Sequence, residues 1–220
     1  MQPTLIFLHT AAANVDTFDT LAKELAPDIP RRHVVDESLL QEALQLGEIT
    51  PQLAKRVSDT IVEAAEGGAR VVLCTCSTIG GCAEDANKLT GSTVIRVDRP
   101  MAEQAVSMGS RIIVAATAAS TIAPTRALIL DEAHKAKKAV EIVELFCESA
   151  WPKFEQGDQT GYLQEIADCL RQAATDGEVV VLAQASMAGA AKLLPDFPVP
   201  ILSSPRLGVE AAINAYRLAS

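Results

Sequence analysis

Short, nearly continuous apolar runs alternate along this chain with longer segments in which apolar residues recur every three or four positions. The runs read as strands at residues 4–9, 32–35, 70–75, 93–97, 111–116, 140–146, 178–183 and 199–202, with helices between them. Strands apolar at successive positions are covered on both faces, and strands alternating with helices form parallel α/β sheets. Several helix ends are marked. Thr50-Pro51 places a capping hydroxyl before a proline in the first turn, and Gly67-Gly68 closes that helix. Pro100 and Pro205 each follow a strand and open a helix.

The pattern occurs twice. ARVVLCTCSTIGGCA at 69–83 overlays GEVVVLAQASMAGAA at 177–191, so that Cys76 falls on Gln184, Ser77 on Ala185, Thr78 on Ser186 and Gly81 on Gly189. In the same order, His9-Thr10 matches Ala116-Thr117, Glu37-Ser38 matches Glu148-Ser149, Gly47-x-x-Thr50 matches Gly157-x-x-Thr160, and Pro100 matches Pro205. The repeat predicts an α/β fold of two pseudo-symmetric lobes, each a four-stranded parallel sheet with helices on both faces. Lobe one is expected at 1–98 plus 206–220, whose last segment returns as a completing helix, and lobe two at 99–205. Open parallel sheets bind ligands beyond the carboxyl ends of their strands, so the active site is expected in the cleft between the lobes.

Those strand ends supply His9, Thr10, Cys76, Ser77 and Thr78 in lobe one, and Thr117, Ser120, Thr121, Gln184, Ala185 and Ser186 in lobe two. The set is small and rich in hydroxyls, and backbone N–H groups at helix starts suit a small carboxylate. Cys74, Cys82, Cys147 and Cys169 lie within apolar patterns and read as small hydrophobes. Cys76 differs: it closes a strand and precedes Ser-Thr and a helix, where N–H groups and the helix dipole favour a reactive thiolate. His9 is the one histidine at a strand end, and both a packing role and a role beside the thiol stay open.

Composition narrows the partners. The 220 residues are 49% hydrophobic and 21% charged, enough for a real core. A net charge of −9 with 4% aromatic residues argues against nucleic acid. The basic run at 134–138 sits where a helix ends and complements its dipole. There is no signal-peptide pattern and no apolar run near the roughly 18 residues that span a bilayer. Five cysteines, an odd number, without a secretion signal predict reduced thiols and a cytoplasmic protein. Dispersed histidines and the lack of C-x-x-C, G-x-G-x-x-G and Walker A patterns predict no metal and no nucleotide cofactor. The partner expected is a small carboxylate-bearing substrate, with self-association left open.

Three stretches carry a resemblance over essentially the whole chain: CTCSTIGG (74–81), IRVDRPMAEQAVSMGSRIIVAATAASTIAPTRAL (95–128), and VVVLAQASMAG (179–189) with ILSSPRLGVEAA (201–212). They resemble the cofactor-independent aspartate/glutamate/hydantoin racemase superfamily, and the second is similar to the hydantoin racemase branch. The resemblance implies two facing lobes and a pair of cysteines flanking a substrate α-carbon. Cys76 takes the first cysteine position and Gln184 the second, which departs from the two-base pattern because a carboxamide does not exchange protons at a useful pKa. Arylmalonate decarboxylases in the superfamily also use one cysteine, but in the second lobe. Maleate isomerases use the lobe-one cysteine as a nucleophile. The function implied is an isomerase acting on carbon next to a carboxylate or carboxylate-like carbonyl, of an amino acid, a hydantoin or a related small molecule, through Cys76 alone. The alternatives are a one-cysteine decarboxylase, a cis–trans isomerase, or a non-catalytic carboxylate-binding protein.

Overall fold

The computed structural model describes residues 4–173 and 176–219; the first three residues and the last residue of the expected lobe one, and residues 174–175 of lobe two, lie outside the described residues. The chain divides into two compact units, 1–100 with 205–220, and 101–204.

In unit one, β1 (Thr4–His9), β2 (Arg31–Val35), β3 (Ala69–Cys74) and β4 (Thr93–Arg96) form a parallel sheet in the order β2-β1-β3-β4. Side chains alternate between its faces. Ile6, Leu8, Val72 and Cys74 share one buried cluster with α2 (Glu37–Leu46), α3 (Pro51–Glu66) and α4 (Gly80–Asp85). The other face carries Phe7 and His9, whose rings lie 6.0 and 5.5 Å from that of Phe18 on α1 (Val15–Leu25). The terminal helix α9 (Ser204–Leu218) completes the unit, with Gly208 against Val97 and the Arg70 guanidinium 4.7 Å above the Tyr216 ring. The Thr-Pro signature holds: Thr50 Oγ1 accepts the Leu53 N–H at 3.2 Å and Pro51 opens α3.

Unit two repeats this topology. Its strands β5 (Arg111–Ala116), β6 (Glu141–Phe146), β7 (Val179–Leu182) and β8 (Ile201–Ser203) run parallel in the order β6-β5-β7-β8. Helix α5 (Arg99–Met108) enters the unit, followed by α6 (Ile122–Lys135), the short α7 (Trp151–Glu155) and α8 (Gln159–Ala173). Ile113, Ala115, Val180 and Leu182 pack with Tyr162, Ile166, Ala167 and Leu170 of α8. The two four-stranded parallel sheets with their helices are the α/β arrangement that the repeat predicts.

The correspondence reaches single backbone angles. Gly47 and Gly157 both take the left-handed conformation, at φ 71° and 74°, which a side chain would strain. The caps beyond them differ. Thr50 caps α3, whereas the Asp158 carboxylate accepts the Gly161 N–H at 2.9 Å and leaves Thr160 inside α8. β8 starts two residues later than the apolar run, because Pro198 and Pro200 have no N–H for the ladder; Pro200 contributes only its carbonyl, to Val180.

One expectation is overturned. Cys147 and Cys169 are not reduced, independent hydrophobes: they form a disulfide, Cα atoms 5.9 Å apart, joining the end of β6 to α8. Each lies in an apolar pattern, and only the fold brings the two together. Cys74, Cys76 and Cys82 are free. Among the described residues no helix is long and apolar enough to cross a membrane.

Two outcomes follow. Alkylation after unfolding should label three cysteines without reductant and five with it, and reduction should lower stability by about 2–4 kcal/mol, read by peptide mass spectrometry and urea denaturation. Gly208→Ala should destabilise by about 1–2 kcal/mol in the same assay: its Cβ would lie 2.7 Å from the Val97 carbonyl oxygen, and that overlap outweighs the helix propensity gained.

Candidate active site

The pairing of β1 with β3 delivers the thiol. Thr75 extends the ladder by one N–H, donated to the Leu8 carbonyl at 2.9 Å, so Cys76 is the first residue free of the sheet. Its backbone is also held from below, where the buried Cys74 thiol donates to the Cys76 carbonyl at 3.6 Å. Burial first, and the neighbouring Cys76 next, push the Cys74 thiol far up, so it stays protonated and structural. The Cys76 side chain is 8% exposed at the margin of the unit-one core.

The turn that follows is polar but buried. Thr10, Ser77 and Thr78 are each almost fully enclosed, and Ser77 Oγ has no hydrogen-bond partner. A buried hydroxyl without a partner is costly and marks a place where a ligand atom can bond. The helix after Cys76, α4, starts at Gly80 and has six residues, so little macrodipole reaches that point. Beneath the turn lies a charge pair that the sequence pattern does not reveal. Arg96 Nε and Nη2 bond Asp98 at 2.6 and 3.0 Å, both side chains buried, and a Cβ on Gly80 would sit 2.9 Å from Arg96 Nε. The glycine therefore lets the turn rest on the guanidinium.

His9 is fully buried, with Nδ1 2.9 Å from Thr75 Oγ1 and Nε2 2.9 Å from His33 Nδ1. The Thr75 hydroxyl also reaches the Leu8 carbonyl at 3.0 Å, and His33 Nε2 lies 3.5 Å from Asp19 Oδ1. Both ring nitrogens are engaged in holding β1, β2 and the residue before Cys76 together. Burial, with His33 as the second cause, lowers His9 from its ordinary 6.5 to about 4.

In unit two the predicted residues meet in one closed network. Gln184 Oε1 accepts the backbone N–H of Thr117 at 2.7 Å and of Ala118 at 3.3 Å, and Gln184 Nε2 donates to Thr117 Oγ1 at 2.9 Å. The Tyr162 hydroxyl lies 3.1 Å from Thr117 Oγ1 and 2.8 Å from Ser186 Oγ. Burial raises the Tyr162 phenol, so it remains a neutral donor. Tyr162 is absent from the strand-end candidates; its one sequence signal is a phenol on the apolar stripe of α8, which needs a partner when buried. Thr121 is buried and donates its N–H to the Ala118 carbonyl, Ser120 Oγ is enclosed without a partner, and Ala185, also buried, can offer only backbone. Among the described residues no group of three or more His, Cys, Asp or Glu could hold a metal ion.

Two topologically equivalent parallel α/β units, one with the Cys76 thiol just past β3 and the other with a fixed carboxamide at the matching place, define a class of duplicated α/β protein. The comparisons agree on which. A sequence profile for Asp/Glu/hydantoin racemases matches residues 5–212. A glutamate racemase isoform from Bacillus anthracis superposes with TM-score 0.73 at 15% identity, over 99% of this chain and 82% of that one. The allantoin racemase from Klebsiella pneumoniae gives 0.64 at 17%, over 98% and 89%. An arylmalonate decarboxylase gives 0.56 at 15%, over 99% and 93%. No curated protein matches. The chain belongs to the Asp/Glu/hydantoin racemase family.

The histidine pair predicts a pH effect. The folded value of His9 lies below its unfolded one, so the unfolded chain takes up the proton first. Stability is full above about pH 6.5 and falls as pH drops toward 4, by roughly 3 kcal/mol for this residue. Urea unfolding at pH 7 and at about pH 4.5 should show that loss, and His9→Gln should flatten the dependence.

Proposed function

We propose that this protein is an enzyme acting on carbon next to a carboxylate or carboxylate-like carbonyl of a small molecule, such as an amino acid or a hydantoin, with Cys76 as its one proton carrier. The observation that carries this is the pairing of Cys76 with the buried, unpartnered Ser77 hydroxyl in the same turn. Membership of a racemase family supports an isomerase, and the fold likeness to a decarboxylase is consistent with chemistry that needs one thiol.

In this reading the Cys76 thiolate takes the α-proton and the substrate becomes an enediolate. Thr10, Ser77 and Thr78 donate to its developing negative charge, the kind of donor that contributes most to such catalysis. In unit two Thr117 is engaged by Gln184 and Tyr162. With one proton carrier, the proton comes back from the thiol to the face it left. With a substrate that loses CO2, the Cys76 thiol instead protonates the resulting carbanion. The fit of the second motif to the hydantoin racemase branch favours ring amides among the substrates.

The test is proton NMR in D2O with amino acids, hydantoins, malonates and maleate. Wild type should wash deuterium into an α-position, or release CO2, with retention at the carbon. Cys76→Ser should slow the reaction by about 10²–10⁴-fold. Equal rates for wild type and the variant on every active substrate would remove Cys76 from the mechanism; no turnover together with carboxylate binding would make the protein a binder.

A further inference from the structure

The turn that carries Cys76 runs into a helix too short to hold itself. α4 has six residues, and so short a helix is not stable alone. Side chains tie it to residues 93–99. Arg99 grips Glu84 through Nε and Nη2, each at 2.5 Å. Just beyond α4, the Asn87 carboxamide bonds both the N–H and the carbonyl of Val94 at 2.8 Å. These contacts hold the far end of the helix. Its near end, Gly80, lies on Arg96.

Arg96 is not the pliable arginine of a protein surface. Its Nε and Nη2 meet the two Asp98 oxygens at 2.6 and 3.0 Å, and both side chains are buried. A forked pair of this kind fixes the plane of the guanidinium. That plane lies under Gly80, where a Cβ would stand 2.9 Å from Nε and 3.1 Å from both Cζ and Nη2. A long exposed side chain would swing away from such a methyl, but moving this one breaks a buried ion pair. Gly80 in turn donates its N–H to the Ser77 carbonyl at 3.2 Å, closing the turn that begins just after the thiol.

We propose that Arg96 is a positioning residue for Cys76: locked by Asp98, its guanidinium is the seat that sets the Ser77–Gly80 turn and so places the thiol and the Ser77 hydroxyl. All of these residues belong to unit one. The role in turnover rests on the reading of Cys76 as the proton carrier; the seat itself does not.

The test is iodoacetamide labelling of the folded full-length protein, read at Cys76 by peptide fragmentation in a mass spectrometer, with amide hydrogen exchange as a second readout. Cys76 is nearly enclosed, so a displaced turn uncovers it. Gly80→Ala should speed Cys76 labelling and Gly80 N–H exchange about tenfold or more, while the ladder N–H groups of Thr75 and Val97 stay within about threefold. Arg96→Lys keeps a charge on Asp98 but loses the fork, and should act in the same direction. In the double variant the new methyl occupies room that the guanidinium vacates, so labelling should return to within about threefold of wild type. A general loss of stability would not be rescued by a second substitution. On any substrate that wild type turns over, the single variants should lower kcat about tenfold or more and the double variant recover most of it. Circular dichroism verifies folding, and Arg96→Lys alone decides if Gly80→Ala does not fold. Folded single variants with wild-type labelling, equal acceleration at Thr75 and Val97, or a double variant no better than the singles would overturn the inference. Wild type without turnover would sink the catalytic reading and leave the seat standing.

Discussion

A parallel sheet can expose its strand-to-helix turns at only one edge, and the site in each unit depends on where its strands stop. In unit one the decisive contact is the bond from Thr75 N–H to the Leu8 carbonyl, one step past the formal end of β3. It fixes the residue that leaves the sheet as Cys76. The same threonine, through its hydroxyl, joins that carbonyl and His9. A shift of β3 by one residue would turn Cys76 toward the opposite face, because neighbouring side chains on a strand point opposite ways. The histidine pair guards against that slip by bonding β1, β2 and the turn into one block.

The second constraint is that buried polar groups need partners. In unit two a carboxamide, two N–H groups, two hydroxyls and a phenol form one network with nothing charged in it, but the Ser120 hydroxyl is enclosed without a partner. In unit one a fully paired Arg96–Asp98 lies under the turn, and the Ser77 hydroxyl above is likewise unmatched. The duplicated backbone thus leaves a buried serine hydroxyl unmatched at the strand ends of both units.

Much of the fold was legible because apolar runs and helix signals are local. All eight strands lie within a residue or two of their apolar runs, and the repeat foretold two four-stranded parallel sheets. What escaped the sequence was long-range. Cys147 and Cys169 each read as an ordinary buried cysteine, and nothing local says that α8 brings one beside the end of β6. Tyr162 is not among the strand-end candidates, and only the fold sets its hydroxyl beside Thr117 and Ser186. His9 was rightly placed at a strand end. Its ring, however, lies in the core among Phe7, Phe18 and His33, and only the packing shows that.

The ladder also shows that the difference between the units goes deeper than one cysteine. Cys74 pairs with Arg96 across β3 and β4; Leu182 pairs with Ser203 across β7 and β8. So the place held by a buried guanidinium in unit one is held by a serine in unit two. The guanidinium is paired with Asp98 and supports the turn at Gly80, whereas the serine at the matching place in unit two carries no charge. In unit two the Gln184 carboxamide fills the N–H groups of Thr117 and Ala118, and a phenol from α8 bonds the hydroxyl alongside, so topologically equivalent turns end in a free thiol in one unit and a bonded carboxamide in the other.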